Sequence, residues 1–536
     1  MEGGLKVWDF IIVGAGSGGC VAANRLSEDP RNRVLLIEAG GAADALRFKI
    51  PALGPLAAIG RPDSDWMLFT EPDPSRNNRI DRMPRGKVMG GSSAINGTIY
   101  VRGNRGDYDH WAQLGCSGWD YEALIPYFKR IEGDQTGLSP SYGRDGPLSI
   151  SRTRGPHPLA QVFIEAMREL GVPANADYNG IHQEGSAITH VNQRRGWRAS
   201  AARAFVDPVR HRTNLAIYTH CVARRILIED GVAKGVEFER DGQICTERCA
   251  GEIIISASAY NSPKLLMLSG VGDPTALAEH GIAVEAPLPG VGRNLQEHPN
   301  CAIKAYVSVP TLNTQTGMLA QLLQGARFGL MGSGPASHIF PAISFVRLRP
   351  ESEYPDLQFH FGAFAMDATP NGPKMLDRPA VTIQPNVNRS QSRGQVTLRS
   401  RDPHDPPVIQ HNMLSSRYDL ETLMAGVKLG RSLLKTKAFA PFFEGEHTPG
   451  PNIDSDEALE GFVRANAGPC FHSSGSLRMG NDSTAVVDPR LRVWGLAGLR
   501  VLDCSIIPQV PSGNINAISM VIGAKGADMI LEDRRG

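Results

Sequence analysis

No run of about 18 consecutive apolar residues occurs in the 536-residue chain, so the sequence offers no transmembrane helix. The opening stretch MEGGLKVWDF lacks the apolar centre of a secretory signal and passes almost at once into a strand-like run. Charge of one sign is also missing. The balance of 56 Lys and Arg against 55 Asp and Glu leaves a net +1, and no long-range field draws nucleic acid, an anionic membrane or acidic partners. The eight cysteines are scattered; only Cys245 and Cys249 lie close, and no CxxC pair or Cys/His cluster appears. That pattern excludes a disulfide framework, gives no sign of a bound metal, and fits a reducing compartment, the cytoplasm. Low-complexity segments and internal repeats are absent as well. What remains is ordinary globular composition, 41% apolar and 21% charged, with a generous 58 Gly and 38 Pro that suit a loop-rich enzyme. The length exceeds the roughly 250–300 residues at which single cores stop growing, so more than one domain is expected.

The most informative stretch begins at Phe10. An apolar run to Val13 enters Gly14-Ala15-Gly16-Ser17-Gly18-Gly19, a small-residue helical pattern follows, and a second apolar run, Val34 to Ile37, ends in Glu38 and Ala39. Gly14 permits the tight turn, Gly16 lets backbone approach a pyrophosphate, and Gly19 lets the helix pack closely on the strand. The helix N-terminus offers free N–H groups and a partial positive charge to phosphate. Glu38, about 20 residues downstream, is placed to accept hydrogen bonds from a ribose diol. This is a dinucleotide fingerprint, and alone it does not separate NAD from FAD.

Further along, residues 40–83 are rich in Pro, Gly, Asp and Arg, long for a loop without a role, and are expected to drape over the cofactor or its neighbouring domain. Helical patterns fall near 118–131, 158–171, 261–268, 317–330 and 415–435, with a terminal helix from about Ala517 to Leu531. Strand-like runs occur at 214–218, 222–228, 234–239 and Glu252 to Ile255, with a turn at Asp241-Gly242. From 300 to 465 alternating strands (302–308, 340–347, 356–361, 380–388, 395–399) suggest a separate antiparallel sheet, and a buried strand returns at Leu499 to Asp503. The fold class expected is an α/β Rossmann-like dinucleotide domain assembled from 1–155, 195–300 and 466–536, with an α+β substrate domain from 156–194 and 301–465 built on an antiparallel sheet.

Two more stretches bear on the chemistry. Residues 86–97 (GKVMGGSSAING) put small residues where backbone must lie flush against something flat or charged, and His472 to Gly480 with Gly513-Asn514-Ile515-Asn516 bring an imidazole and side-chain amides into the same domain. Here the chain resembles the glucose–methanol–choline (GMC) flavoprotein oxidoreductases, in their choline-dehydrogenase-like and alcohol-dehydrogenase-like bacterial branch. The likeness runs through Gly86 to Asn96, Tyr100 to Gly103, Ser200 to Ala204, Ser258 to Gly272, Gly290 to Pro299 and Leu499 to Asp503.

The resemblance implies FAD, lying extended with its adenine end on Glu38 and its flavin between the domains. It implies that Gly86 to Ile99 wraps the flavin, with Val88, Gly91, Ser92, Asn96, Gly97 and Ile99 as cofactor contacts. Val222 would hold the adenine edge through its backbone, Asp503 and Cys504 would lie near the pyrophosphate and ribityl, and Asn514 would contact the cofactor or cap a helix. Where some members carry a histidine bonded to the flavin, this chain has Ile95, which implies non-covalent FAD. His472 and Asn516 fall on the family's active-site pair. Oxidising an alcohol removes a hydroxyl proton and a hydride; a neutral imidazole suits the proton, and Asn516 would orient the oxygen. Asn516 also opens the terminal helix, whose positive end would favour anionic reduced flavin. His298 is read as structural or flavin-adjacent. Met89, Cys504 and the pair Cys470-Phe471 depart from the usual residues; the last pair would border the flavin face where an acceptor approaches, which leaves the electron acceptor open between oxygen and a quinone or other carrier. The alternatives are a non-redox lyase like the family's hydroxynitrile lyases, with flavin as a structural passenger, and an NAD enzyme that shares only the fold.

Overall fold

The computed structural model describes residues 7–315, 317–369 and 372–535. Val7–Val13 and Val34–Ile37 pair in parallel and are buried almost throughout, the pattern of strands covered on both faces. The sheet they belong to runs Leu215–Tyr218, Val34–Ile37, Val7–Val13, Gln243–Ile255, Val232–Arg240, Cys221–Glu229. Gln243–Ile255 has two roles. Its first half closes an antiparallel hairpin with Val232–Arg240 across the Asp241-Gly242 turn, and its last residues, Ile253 to Ile255, pair in parallel with Leu499–Val501. The sequence pattern shows only the buried tail of this strand because its first half is largely solvent-facing and polar.

Two helices lie together on this sheet. Ser17–Leu26 packs against the C-terminal helix Asn516–Asp533, and the approach is too close for side chains. A Cβ on Gly523 would sit 2.3 Å from the Gly18 carbonyl oxygen, and one on Gly18 would sit 2.1 Å from that of Leu502. Gly14, at φ +103°, turns the chain from strand to helix in a conformation glycine adopts freely.

The second sheet is antiparallel along its main path: Phe443–Thr448, Ile303–Val307, Ala380–Val387, Leu357–Gly362, Ala342–Val346, Gly185–Ile188. The helices Leu159–Glu169 and Arg417–Leu433 cover it with apolar faces. The expected strand at 395–399 does not join it. Gln395–Thr397 pairs only with Val408–Gln410 in a separate two-stranded ladder, since that short run has a local partner. A small extension matters more for the site. Pro299–Asn300 and Gly468–Pro469 pair with each other at the edge of the sheet, which sets His298 and Cys470–His472 side by side.

Candidate active site

A cavity of about 460 Å³ runs between the two sheets from Glu38 to His472. Its wall contains Gly14, Gly16, Ser17, Glu38, Ala39, Gly91, Ser92, Asn96, Gly97, Ile99, Val222, Asp503, Cys504, Asn514 and Asn516. Pro55, Ile59 and Trp66 show that the long 40–83 segment does reach the cavity. Two expected contacts stand behind the wall. Gly19 packs on the strand, where an added Cβ would meet the Gly14 carbonyl oxygen at 2.0 Å. Val88 is a correction: it is 1% exposed and belongs to the core, because its segment bridges to Gly41 and turns its side chain inward.

At one end, Glu38 accepts hydrogen bonds from the backbone N–H groups of Ala15 and Gly40, both at 2.9 Å. Burial pushes its carboxyl up to about 7, against the pull of those N–H groups. In the middle, the two glycine-rich loops touch: a Cβ on Gly91 would meet Gly16 Cα at 2.9 Å. Gly97 has open space where a Cβ would stand, and Gly16 has nothing closer than 3.7 Å. Asn96 is fixed by Arg198, whose guanidinium donates to Asn96 Oδ1 (2.7 Å), Asn96 O (2.6 Å), Ser93 O and Pro51 O. Arg198 is fully buried without a carboxylate, and burial lowers it to about 9. No sequence signal marks this clamp. Asp503 is held by Ser258 N–H, Ser262 Oγ and Ser505 N–H, and burial raises its carboxyl. Cys504 donates its Sγ–H to Ser473 O.

The helices Ser17–Leu26 and Asn516–Asp533 both start at this cavity with no side chain capping them. Ser17 Oγ donates to Asn516 Oδ1 at 2.8 Å, tying the two N-termini together, while Asn516 Nδ2 is buried without a partner. Two uncapped N-termini, an orphaned amide donor and two flush glycine surfaces suit a flat, anionic dinucleotide. The residues present therefore fit FAD, held by the Gly14–Gly19 turn, Glu38, the 86–99 loop and the start of the C-terminal helix.

At the other end lies His472, 8% exposed. Its Nδ1 is 3.0 Å from His298 Nδ1, and Asn514 Nδ2 donates to its Nε2 at 2.9 Å. Gln358 Nε2 donates to Asn514 Oδ1 at 3.1 Å, which turns the Asn514 amide so that its NH2 faces the imidazole. The partner of His472 is thus Asn514, and the expected partner Asn516 is turned to Ser17 instead. Both asparagines sit at the mouth of one helix, two residues apart, and Gln358 holds the amide of the first while Ser17 holds that of the second. Beneath, Glu297 accepts from the backbone N–H groups of His298 (2.9 Å) and His472 (2.7 Å) and from Ser473 Oγ (2.6 Å). Burial, with His298, His360 and Arg85 nearby, pushes His472 well below its ordinary value, so the imidazole is neutral. Its Nε2 accepts, its Nδ1 carries the proton, and His298 Nδ1 receives that hydrogen bond. The preceding residue, Phe471, holds φ +67° and is 45% exposed at the cavity wall, a strained conformation beside His472.

Burial of so many neutral imidazoles has a consequence for stability. His190, His298, His338 and His360 are lowered by burial to about 4, and His411 to about 3. The unfolded chain takes up these protons as pH falls through about 6.5, whereas the fold resists them until about 4. Their contribution is complete above 6.5 and is lost on acidification, on the order of 3–5 kcal/mol for each. Glu38, Glu297 and Asp503, raised by burial, act in the opposite sense but are fewer. The midpoint of thermal unfolding is expected to be level above pH 7 and to drop steadily between 6.5 and 4; a midpoint that rises from pH 7 to 5 contradicts this.

A neutral buried imidazole facing an amide thus stands at the end of a cradle that suits a flavin dinucleotide. Family models for the GMC oxidoreductases match residues 8–300 and 390–523, and the chain belongs to that family. It is an FAD-dependent oxidoreductase acting on CH–OH donors. The oxygen-dependent choline dehydrogenase of Rhizobium etli is 42% identical over 98% of this chain and 95% of its own. The mitochondrial choline dehydrogenase of Mus musculus is 39% identical over 99% and 91%. Among solved structures, pyridoxine 4-oxidase from Mesorbium loti superposes with a TM-score of 0.88 at 29% identity, covering 97% and 98% of the two chains. A fungal aryl-alcohol oxidase gives 0.82 at 25%, covering 99% and 100%.

Proposed function

We propose that this enzyme oxidises a neutral alcohol to its aldehyde or ketone, with His472 as base and Asn514 in the orienting role that the family resemblance gave to Asn516. The observation that carries the reading is the 2.9 Å pair of Asn514 Nδ2 and His472 Nε2. An alcohol oxygen that inserts between the two atoms replaces their hydrogen bond: it accepts from the Asn514 amide and gives its proton to the Nε2 lone pair so released. His298 then supports the imidazolium by accepting from Nδ1–H, and Glu297 keeps both backbones in place. Bound FAD, held non-covalently beside Ile95, supplies the hydride acceptor.

The substrate end of the cavity supports a neutral, partly apolar molecule. Near His472 the wall is Ile339, Phe340, His360, Gln384, Cys470 and Phe471, and the carboxylates among the described lining residues, Glu38 and Asp503, stand at the cofactor end and are tied to backbone N–H groups. His360 is neutral and Gln384 donates to Asn300 Oδ1. A quaternary ammonium such as choline would find no counter-charge here, despite the names of the relatives. The eight unpaired cysteines support a reducing, cytoplasmic setting.

The test is anaerobic titration of the purified yellow protein with choline and with neutral aliphatic and aromatic alcohols. Bleaching of the flavin band by a neutral alcohol, at a rate at least tenfold that with choline, is expected. Preferred reduction by choline sinks the substrate assignment, and no bleaching by any alcohol sinks the oxidation itself in favour of a lyase. Admitting air then separates the acceptors: rapid return of colour marks an oxidase, slow return a dehydrogenase.

A further inference from the structure

The helix Met318–Met331 is apolar on nearly every side and is barely covered by the protein. Met318, Leu319, Leu322, Leu323, Leu330 and Met331 are 61–88% exposed, and Phe328 is its single buried side chain. Its C-terminal end is nonetheless firmly attached. Phe328 packs on Trp197 at 4.8 Å between ring centroids, and Arg154 donates to the Met331 carbonyl at 3.1 Å. Six large apolar side chains in water on one helix are far from the scattered exposed leucines of an ordinary surface.

The charge around the helix is one-sided. The segments that meet its end, 150–158, 192–197 and 317–337, carry Arg152, Arg154, Arg194, Arg195 and Arg327 and not one Asp or Glu, in a chain whose totals nearly cancel. Among the described residues none of the five arginines forms an ion pair. Arg152, Arg154, Arg194, Arg195 and Arg327 are all exposed. The patch continues across the 45–59 segment, where Ala52 N–H donates to Ala336 O and Leu46 and Leu56 are each 60% exposed. That same segment supplies Pro55 and Ile59 to the cavity wall, and the chain beyond the helix supplies Ile339 and Phe340. The apolar, basic face therefore adjoins segments that line the cavity.

We infer that this face docks the enzyme on an anionic phospholipid bilayer, with the helix Met318–Met331 lying in the interface and the arginines on the headgroups. Fourteen residues make a helix of about 21 Å, too short for a hydrocarbon core of about 30 Å, so the helix lies on the membrane and does not cross it. Among the described residues no helix is long and apolar enough to span. Apolar insertion and arginine–headgroup attraction act together, and the joint requirement distinguishes a bilayer from a second copy of the chain, which would bring its own arginines against these. The inference stands whether or not the substrate assignment above holds.

Flotation of the FAD-loaded protein with vesicles tests it. Vesicles of phosphatidylcholine containing about one third phosphatidylglycerol are expected to carry the protein up a density gradient, and vesicles of phosphatidylcholine alone to carry far less. The variants Leu322→Asp with Leu323→Asp, and Arg194→Glu with Arg195→Glu, should each lower the bound fraction at least about tenfold. Both should keep the wild-type flavin spectrum and turnover of a water-soluble alcohol, because the changed side chains are exposed and outside the cavity. No flotation of the wild type, or equal flotation of the variants, overturns the proposal. So does a dimer in light scattering that the aspartate pair converts to monomer without any vesicle binding, since the face would then join two copies.

Discussion

Replacement of His472 by alanine leaves FAD bound and slows anaerobic reduction of the flavin by an alcohol about a thousandfold. The cofactor should stay because its cradle lies elsewhere: the Gly14–Gly19 turn, Glu38, the 86–99 loop and the two helix N-termini do not depend on the imidazole. The chemistry should fail because His472 Nε2 is the ring nitrogen that faces the orienting amide of Asn514. His298 is behind His472 with its Nδ1 already engaged, and Glu297 is turned to the backbone. The pH profile adds a second readout. A base whose protonation is suppressed by burial remains unprotonated below the ordinary histidine value, so wild-type kcat/KM is expected to stay level as pH falls through 6.5 and to decline only beyond it. A break centred at 6.5, or undiminished reduction in the alanine variant, would remove His472 from the mechanism.

The second large effect separates two asparagines that lie two residues apart. Asn514→Ala should retain FAD and cost about a hundredfold in the rate of flavin reduction, because the alcohol oxygen loses the donor that places it against His472 Nε2. Asn516→Ala should act on the cofactor. It removes the acceptor for Ser17 Oγ and the unpartnered Nδ2 at the cradle, so FAD should dissociate more readily, while reduction of the flavin that remains stays within a fewfold of wild type. Rapid reduction measured in a single turnover, beside FAD content after dialysis, distinguishes the two roles. The opposite pattern would return the orienting role to Asn516.

This exchange illustrates where the sequence is legible and where it is not. The strand–glycine turn–helix–strand–acid pattern ending at Glu38 is local, and every part of it stands where the spacing puts it. The alternating runs between 300 and 465 are likewise local and become the antiparallel sheet, except 395–397, whose nearest partner lies outside it. The neighbours of His472 are not local. They depend on the Pro299–Asn300 and Gly468–Pro469 pairing, which brings His298 and Glu297 across more than 170 residues, and on Gln358 from the far sheet. A helix start with asparagines at both 514 and 516 gives no sequence criterion for which amide will face the imidazole. The Arg198 clamp is invisible for the same reason, since its partners are carbonyl oxygens of three distant residues, Pro51, Ser93 and Asn96, and carbonyls leave no trace in a sequence. Net charge misleads differently. A balance of +1 averages over the whole chain and hides the five arginines that surround one uncovered helix.

The pairing of Leu499–Val501 with Ile253–Ile255, together with the tie between Ser17 and Asn516, also fixes an order of events during synthesis. The first fingerprint leaves the ribosome early, yet the sheet edge at Ile253 stays open until residue 501 has emerged. At about 5–20 residues per second that interval is roughly 12–50 s. Throughout it the nascent chain presents an apolar strand edge and half of a nucleotide cradle, a state prone to wrong pairing. Cofactor capture is therefore a closing step of biogenesis, and a chaperone that shields the 253–255 edge would be protecting the dinucleotide site before that site exists.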